Sequence, residues 1–433
     1  MHANSLKTGV SGVLLALRVG CMRLFAWTII GIVGANLAQA QLRLPGVPLP
    51  ALPQKLQTLG TTAENSFAQL ADLRHLQILR LLRANPQTVA ADPHGNPIVR
   101  DELLAFAPSE GALNAALGLG FRVVREQSIA ELGIHLVVLQ PPQTLGLVKA
   151  LRRLRESDPK GTYDFNHIYL SSGSSTAAPP TITPADAGAA SAKPAGAATR
   201  IGLIDAGIEL SHPVFRDKPI HTWGCANHPV ASAHGTAVAS LLLGQGPAEL
   251  YAADVYCGEP TGGAVDALAA AFAWLGQLNV AVINVSLVGP DNATLAQIVH
   301  ALTSRGYLLV AAVGNDGPAA PPLYPASYPR VVGVTAVDAN RRVLIEAARG
   351  NQVMFAAQGA DMMAADNGGK YSAVRGTSFA APIVAALLAQ ELAAPDTEAS
   401  ETVVQELARH AIDLGPPGRD LTYGYGLVGA EKN

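Results

Sequence analysis

Ile201-Gly202-Leu203-Ile204-Asp205-Ala206-Gly207 is a short apolar run that ends in an acid followed by small turn residues. Read as a strand, it delivers Asp205 to its carboxyl end. Similar apolar runs follow at residues 250–255, 280–286, 308–313 and 331–337, with helical patterns between them, such as 264–278 and 293–303. Strands alternating with helices argue for an α/β domain: a parallel β-sheet flanked by helices on both faces. Ligands of such open sheets bind beyond the carboxyl ends of the strands. Asp205 therefore stands where chemistry is usually found, although a lone strand-end Asp is more often a cap or a loop hydrogen-bond partner.

Three more islands lie downstream. His234-Gly235-Thr236-Ala237-Val238-Ala239-Ser240 begins a run of small helical residues with a histidine, and Gly235 lets another segment come close. Arg375-Gly376-Thr377-Ser378-Phe379-Ala380-Ala381-Pro382 places Ser378 at the start of a helix that continues through 383–388. Polar residues at helix starts are ordinarily caps. Here Pro382 is expected within the first turn, where its missing N–H costs little. The free N–H groups and the positive dipole end would then point toward Ser378, which suits a developing oxyanion. The last island, Leu309-Val310-Ala311-Ala312-Val313-Gly314-Asn315-Asp316-Gly317, is a strand running into a glycine-flanked Asn, by itself only a turn signal.

Taken together and in this order, the islands resemble the subtilisin family: a strand ending in D-x-G, then HGT, then GTSxAAP. The chain order Asp, His, Ser is subtilisin's own. The resemblance covers residues 200–429. It implies a secreted serine endopeptidase with Asp205, His234 and Ser378 as its triad. Ser378 Oγ would attack the peptide carbonyl, His234 would take and return the proton, and Asp205 would hold the imidazole. Asn315 would complete the oxyanion hole with the backbone N–H of Ser378. Ser286, Leu287 and Gly289 would pair with an extended substrate, while Ala312 and Gly314 would line the pocket for the residue before the cut. Leu323 is expected at that pocket's floor and Asp316 at its rim, which suggests apolar or medium-sized residues there with some tolerance of basic ones. Ala206 departs from the family, which more often has Ser or Thr. The resemblance needs no cofactor for catalysis. Structural calcium stays unassigned, because no oxygen-ligand cluster has diagnostic spacing.

Two other classes fare worse. An α/β-hydrolase esterase needs G-x-S-x-G and the order Ser, acid, His, but Ala380 takes the last glycine position. A degenerate, non-catalytic copy would lack a triad member or the oxyanion Asn, and all four residues are present.

The whole chain fits this reading. Its 433 residues suit two domains plus processing segments. Charged residues are 15% and the formal net charge is -3, with no basic run, which excludes a nucleic-acid footprint. Protein or peptide substrates are the expected partners, and a monomer is the expected state. Residues 1–40 read as an export signal: Arg23, an apolar run over 24–33, and Ala38-Gln39-Ala40 as a cleavage site, with Met22 as an alternative start. A retained membrane anchor is the competing reading. Export points to the periplasm or the outside of the cell. Cys21 would leave with the signal. Cys225 and Cys257 would then pair in an oxidising compartment, or remain two buried thiols. A bridge there is worth about 3 kcal/mol in the chain-entropy model.

Residues 41–97 form an N-terminal pro-region, with a packing helix expected over 62–84 from the spacing of Phe67, Leu70, Leu73, Leu76, Leu79 and Leu82. Residues 98–170 read β-α-β-β-α-β, the ferredoxin-like order. Between a signal and a protease domain, such a unit resembles a subtilase pro-domain that acts as intramolecular chaperone and inhibitor; an unrelated α+β module is the alternative. Residues 171–199, rich in Ser, Ala, Pro and Thr, read as a linker open to proteolysis, and 200–433 as the peptidase domain.

Overall fold

The computed structural model describes residues 74–129, 132–171, 174–176 and 199–430, all within one contact unit. The expected signal segment, residues 62–73 of the first expected helix and most of the expected linker lie outside the described residues. A helix over residues 74–84 (α1) is the described part of the first expected helix.

Next comes a five-stranded antiparallel sheet with two helices. Its strands are β1 (Val89–Ala91), β2 (Pro97–Phe106), β3 (Arg122–Ile129), β4 (Ile134–Gln140) and β5 (Thr162–His167). Its helices are α2 (Glu110–Gly118) and α3 (Leu147–Ser157). The order β5-β2-β4-β3 is that of a ferredoxin-like unit. The expected boundary at residue 98 cuts this sheet, because β1 and Pro97 already pair within it. Residues 103–106 of β2 and 136–139 of β4 are apolar throughout because both faces of the sheet are covered there. Leu103, Ala105, Val137 and Leu139 face α2 and α3, whereas Leu104, Leu136 and Val138 face two helices of the second sheet's layer.

The second sheet has seven strands, every pair parallel, in the order β15-β14-β13-β11-β8-β10-β9. These are β8 (Arg200–Asp205), β9 (Ile220–Trp223), β10 (Glu249–Asp254), β11 (Val282–Val285), β13 (Leu308–Ala312), β14 (Val332–Val337) and β15 (Val353–Gln358). Helices α4 (Ala233–Gly244), α7 (Thr377–Ala389) and α8 (Thr397–His410) pack on one face. Helices α5 (Val265–Gln277) and α6 (Ala293–Thr303) cover the other and carry the N-terminal sheet on their outer side. Caps fix the starts: Asn292 accepts from Leu295 N–H at 2.9 Å, and Asp396 from Ala399 N–H at 2.7 Å. The Cys225 and Cys257 sulfurs are bonded, with Cα atoms 5.2 Å apart, tying the turn after β9 to the end of β10.

Three features depart from expectation. The run 280–286 is not one strand: β11 stops at Val285, and β12 (Leu287–Val288) leaves the main sheet to pair with β6 (Leu170–Ser171). The start of the supposed linker is strand: β6 includes Ser171, and β7 (Ser174–Thr176) pairs with β17 (Lys370–Arg375), itself paired with β16 (Met362–Asp366). Pro382 is the sixth residue of α7 and so lies beyond the first turn.

Candidate active site

Asp205 ends β8 and is fully buried. Its Oδ1 accepts from the backbone N–H of Ala206 at 2.7 Å and from His234 Nδ1 at 2.8 Å. His234 is the second residue of α4, held there because Ser232 N–H donates to Gly207 O and because residue 235 is glycine. A Cβ at Gly235 would collide with the Ala206 carbonyl and lie 2.7 Å from that of Gly207. With Nδ1 donating to a carboxylate, the ring's Nε2 is the acceptor. That atom is buried and without a hydrogen-bond partner among the described residues. Asp205 Oδ2 likewise has no donor there, and Ala206 carries no hydroxyl that would supply one.

Ser378 is the second residue of α7, whose cap, Gly376, takes φ 140°, a region that favours glycine. The His234 ring lies 5.5 Å from the ring of the neighbouring Phe379. Proline at 382 removes the N–H that would bond Ser378 O in the helix. Ser286 replaces it: its hydroxyl donates to Ser378 O at 3.1 Å and is itself held by Asn284 Nδ2 at 2.9 Å. In return, Ser378 Oγ donates to Ser286 O at 3.2 Å. The Ser286 side chain is fully buried and braces the serine helix, which leaves only its backbone for the expected pairing with substrate.

Asn315 follows β13. Its Oδ1 accepts from Thr377 N–H at 3.0 Å, and Gly314 N–H donates to Thr377 Oγ1 at 3.2 Å. Thr377 thus locks the turn bearing Asn315 to the start of α7 and fixes which end of the amide donates. Its presence in the GTS motif was visible; this brace was not. Leu323 packs directly on Gly314, and Ala312 is buried within β13 against the α7 face. Asp316, half-buried, follows Asn315 and is paired with Arg74 Nε at 3.2 Å. Burial pushes its carboxyl up, and Arg74 opposes that shift.

The neighbouring edge is occupied by the chain itself. Ser171 pairs with Leu287 and Leu170 with Val288, antiparallel. Tyr169 N–H donates to Gly263 O, Tyr256 hydroxyl donates to Tyr169 O, and the Tyr169 ring covers Gly289. Gly289 also exchanges two backbone hydrogen bonds with Tyr324. Beyond the undescribed residues 172–173, Ser174 pairs with Arg375, three residues before Ser378.

Among the described residues, one group of His, Cys, Asp and Glu side chains is close enough to hold a metal: Cys225, Asp254 and Cys257. Its two sulfurs are spent on their mutual bond.

Comparison with known families decides the identity. Residues 196–426, more than half of the chain, match the model of the Subtilase family of S8 peptidases. The chain belongs to that family. As a subtilase it is a serine-type endopeptidase. Subtilisin BL of Lederbergia lenta is 33% identical over 249 residues, 54% of this chain and 90% of that one. Subtilisin DY of Bacillus licheniformis is 31% identical over 252 residues, with the same two coverages. Among solved structures, fervidolysin of Fervidobacterium pennivorans, described as a keratinolytic enzyme related to subtilisin, superposes with a TM-score of 0.61 at 17% identity. That match covers 76% of this subtilase and 60% of fervidolysin, and it bears on the fold alone.

Proposed function

We propose that this subtilase is a secreted endopeptidase that acts through an acyl-enzyme on Ser378, is made as a pre-pro-enzyme and processes itself. The observation that carries the reading is the 2.8 Å hydrogen bond from His234 to buried Asp205, which leaves Nε2 as the acceptor. In this scheme His234 Nε2 takes the Ser378 proton as Oγ attacks and returns it to the leaving amine. Asp205 holds the tautomer and stabilises the imidazolium. Asn315 Nδ2 and the Ser378 backbone N–H stabilise the oxyanion. For attack, Ser378 Oγ–H must turn from Ser286 O toward the imidazole. Fluorophosphonate labelling tests the assignment: one adduct on Ser378, absent in His234→Ala, is expected, and a wild type that takes no label would overturn it.

The path of the chain supports self-processing. Leu170–Ser171 lies along β12 as an extended substrate would, and Ser174–Thr176 lies along β17 on the far side. The cut is therefore assigned between Ser171 and Ser174. The ferredoxin-like unit would serve as chaperone and inhibitor. Its Asp164 accepts from Ala293 N–H at the start of α6 at 2.7 Å. Its Arg125 and Asn166 bind Asp266 in the first turn of α5 at 2.7 and 2.8 Å.

Residues 1–40 would direct export to the periplasm or the outside of the cell, where the disulfide is stable. No helix of the described residues is long and apolar enough to cross a membrane. Before the cut, apolar or medium-sized residues are favoured, with tolerance of basic ones through Asp316. A peptide-library profile dominated by acidic residues would contradict this. A monomer is proposed, and structural calcium stays unassigned.

A further inference from the structure

Helix α1 precedes the ferredoxin-like unit, and neither the catalytic scheme nor that unit's fold accounts for it. Its first described residue, Arg74, reaches Asp316, beside Asn315. The pair is largely shielded: the side chains are 14% and 17% exposed. One turn on, Ile78 is buried, and with Leu81 and Leu82 it packs against Ile168, Leu170 and Ala264. Ile168 and Leu170 belong to the segment that lies in the substrate cleft. The helix is tied to the unit behind it. Asn85 Nδ2 donates to Leu81 O, and Thr88 and Val89 N–H both donate to Asn85 O, so α1 runs directly into β1.

The strand it covers meets β12 through two residue pairs, and on its other side through the Ile168–Ala264 bridge and the hydrogen bonds of Tyr169 to Gly263 and Tyr256. Once the bond between Ser171 and Ser174 is cut, that short ladder loses its covalent tether. We propose that α1 is a latch: it holds the severed strand over β12, with Arg74 anchored on Asp316, so that release of the enzyme is a separate and salt-sensitive step after cleavage. This rests on the pro-enzyme reading above. Separating the latch bares two opposite charges to solvent. Dissolved salt stabilises the separated charges more than the shielded pair, so salt speeds release. Truncating one partner of a shielded charge pair acts mainly on dissociation.

The test uses the full chain. The rate of cutting is followed by intact mass, and the delay between cutting and activity by hydrolysis of a chromogenic peptide. Both are measured at low salt and at about 1 M NaCl, where the Debye length falls to about 3 Å. Arg74→Ala should cut at the wild-type rate, shorten the delay roughly tenfold or more at low salt, and lose most of the salt dependence that wild type displays, the remainder coming from the Arg125–Asp266 pair across the same interface. Ile78→Ala should shorten the delay while keeping the salt dependence, and Leu76→Ala, at an exposed position, should do neither. The unchanged cutting rate reports that the pro-region has folded. A wild-type delay that Arg74→Ala and Ile78→Ala both leave unchanged overturns the latch and leaves the protease reading intact. A wild type that is never cut overturns both.

Discussion

Ser286 answers a problem that a proline in a helix creates. Pro382 deprives Ser378 O of its helical partner, and the Ser286 hydroxyl takes over that bond while Asn284 holds it in place. Ser286→Ala leaves a buried carbonyl and a buried amide short of partners, which costs about 1–3 kcal/mol. Urea unfolding in a Ser378→Ala background, where self-digestion cannot interfere, should read a loss of that size. Asn315→Ala removes the proposed oxyanion donor and the acceptor of Thr377 N–H, while the bond from Gly314 N–H to Thr377 Oγ1 still ties the turn to the helix start. It should lower kcat about 10²–10³-fold with little change in KM, the magnitude measured for this residue in subtilisin itself. Equal loss in kcat and gain in KM would point to a collapsed pocket instead.

Elements position these side chains by close backbone approach. Helix α4 reaches β8's end because Gly235 has no Cβ to strike the Ala206 carbonyl. Gly235→Ala should push the helix outward, break the His234–Asp205 bond and abolish labelling of Ser378 while the fold, judged by circular dichroism, persists. The islands that carry Asp205, His234, Asn315 and Ser378 were legible because each joins a polar residue to an apolar strand end or a small-residue helix start. Helices 264–278 and 293–303 emerged within a residue or so of expectation for the same reason: burial imposes a pattern. Strands β6 and β7 left no such mark. They are strands because their backbones pair with β12 and β17, and Ser-rich sequence neither requires nor forbids that. The fully buried run at 280–286 likewise hid the break after Val285, since periodicity is silent where every residue is inside.

For the whole molecule, the interface between the two sheets' layers is held by polar groups as well as by Leu104, Leu136 and Val138. Buried His167 lies 3.2 Å from Asp92, while its Nδ1 accepts from Asn292 Nδ2 at 2.9 Å. Burial alone would raise the Asp92 carboxyl. Hydrogen bonds from His167, Asn96 and the backbone of residues 94 and 96 outweigh it and hold that carboxyl well below its usual range. A lowered carboxyl stabilises the folded form above the unfolded value of about 3.9 and loses that contribution as pH falls through the folded one. The stability of the uncut Ser378→Ala chain should therefore fall in acid below about pH 4, with a shallower decline in Asp92→Asn. Loss of the Cys225–Cys257 bridge, by Cys225→Ser with Cys257→Ser, should cost about 3 kcal/mol in the same assay.

Ser378 is proposed as the nucleophile of a protease that matures itself. Intact mass of purified wild type beside Ser378→Ala addresses it most directly. Wild type should be severed between Ser171 and Ser174, while Ser378→Ala should stay joined across that segment. Equal trimming of both proteins, or a wild type that remains whole, would contradict self-processing through Ser378.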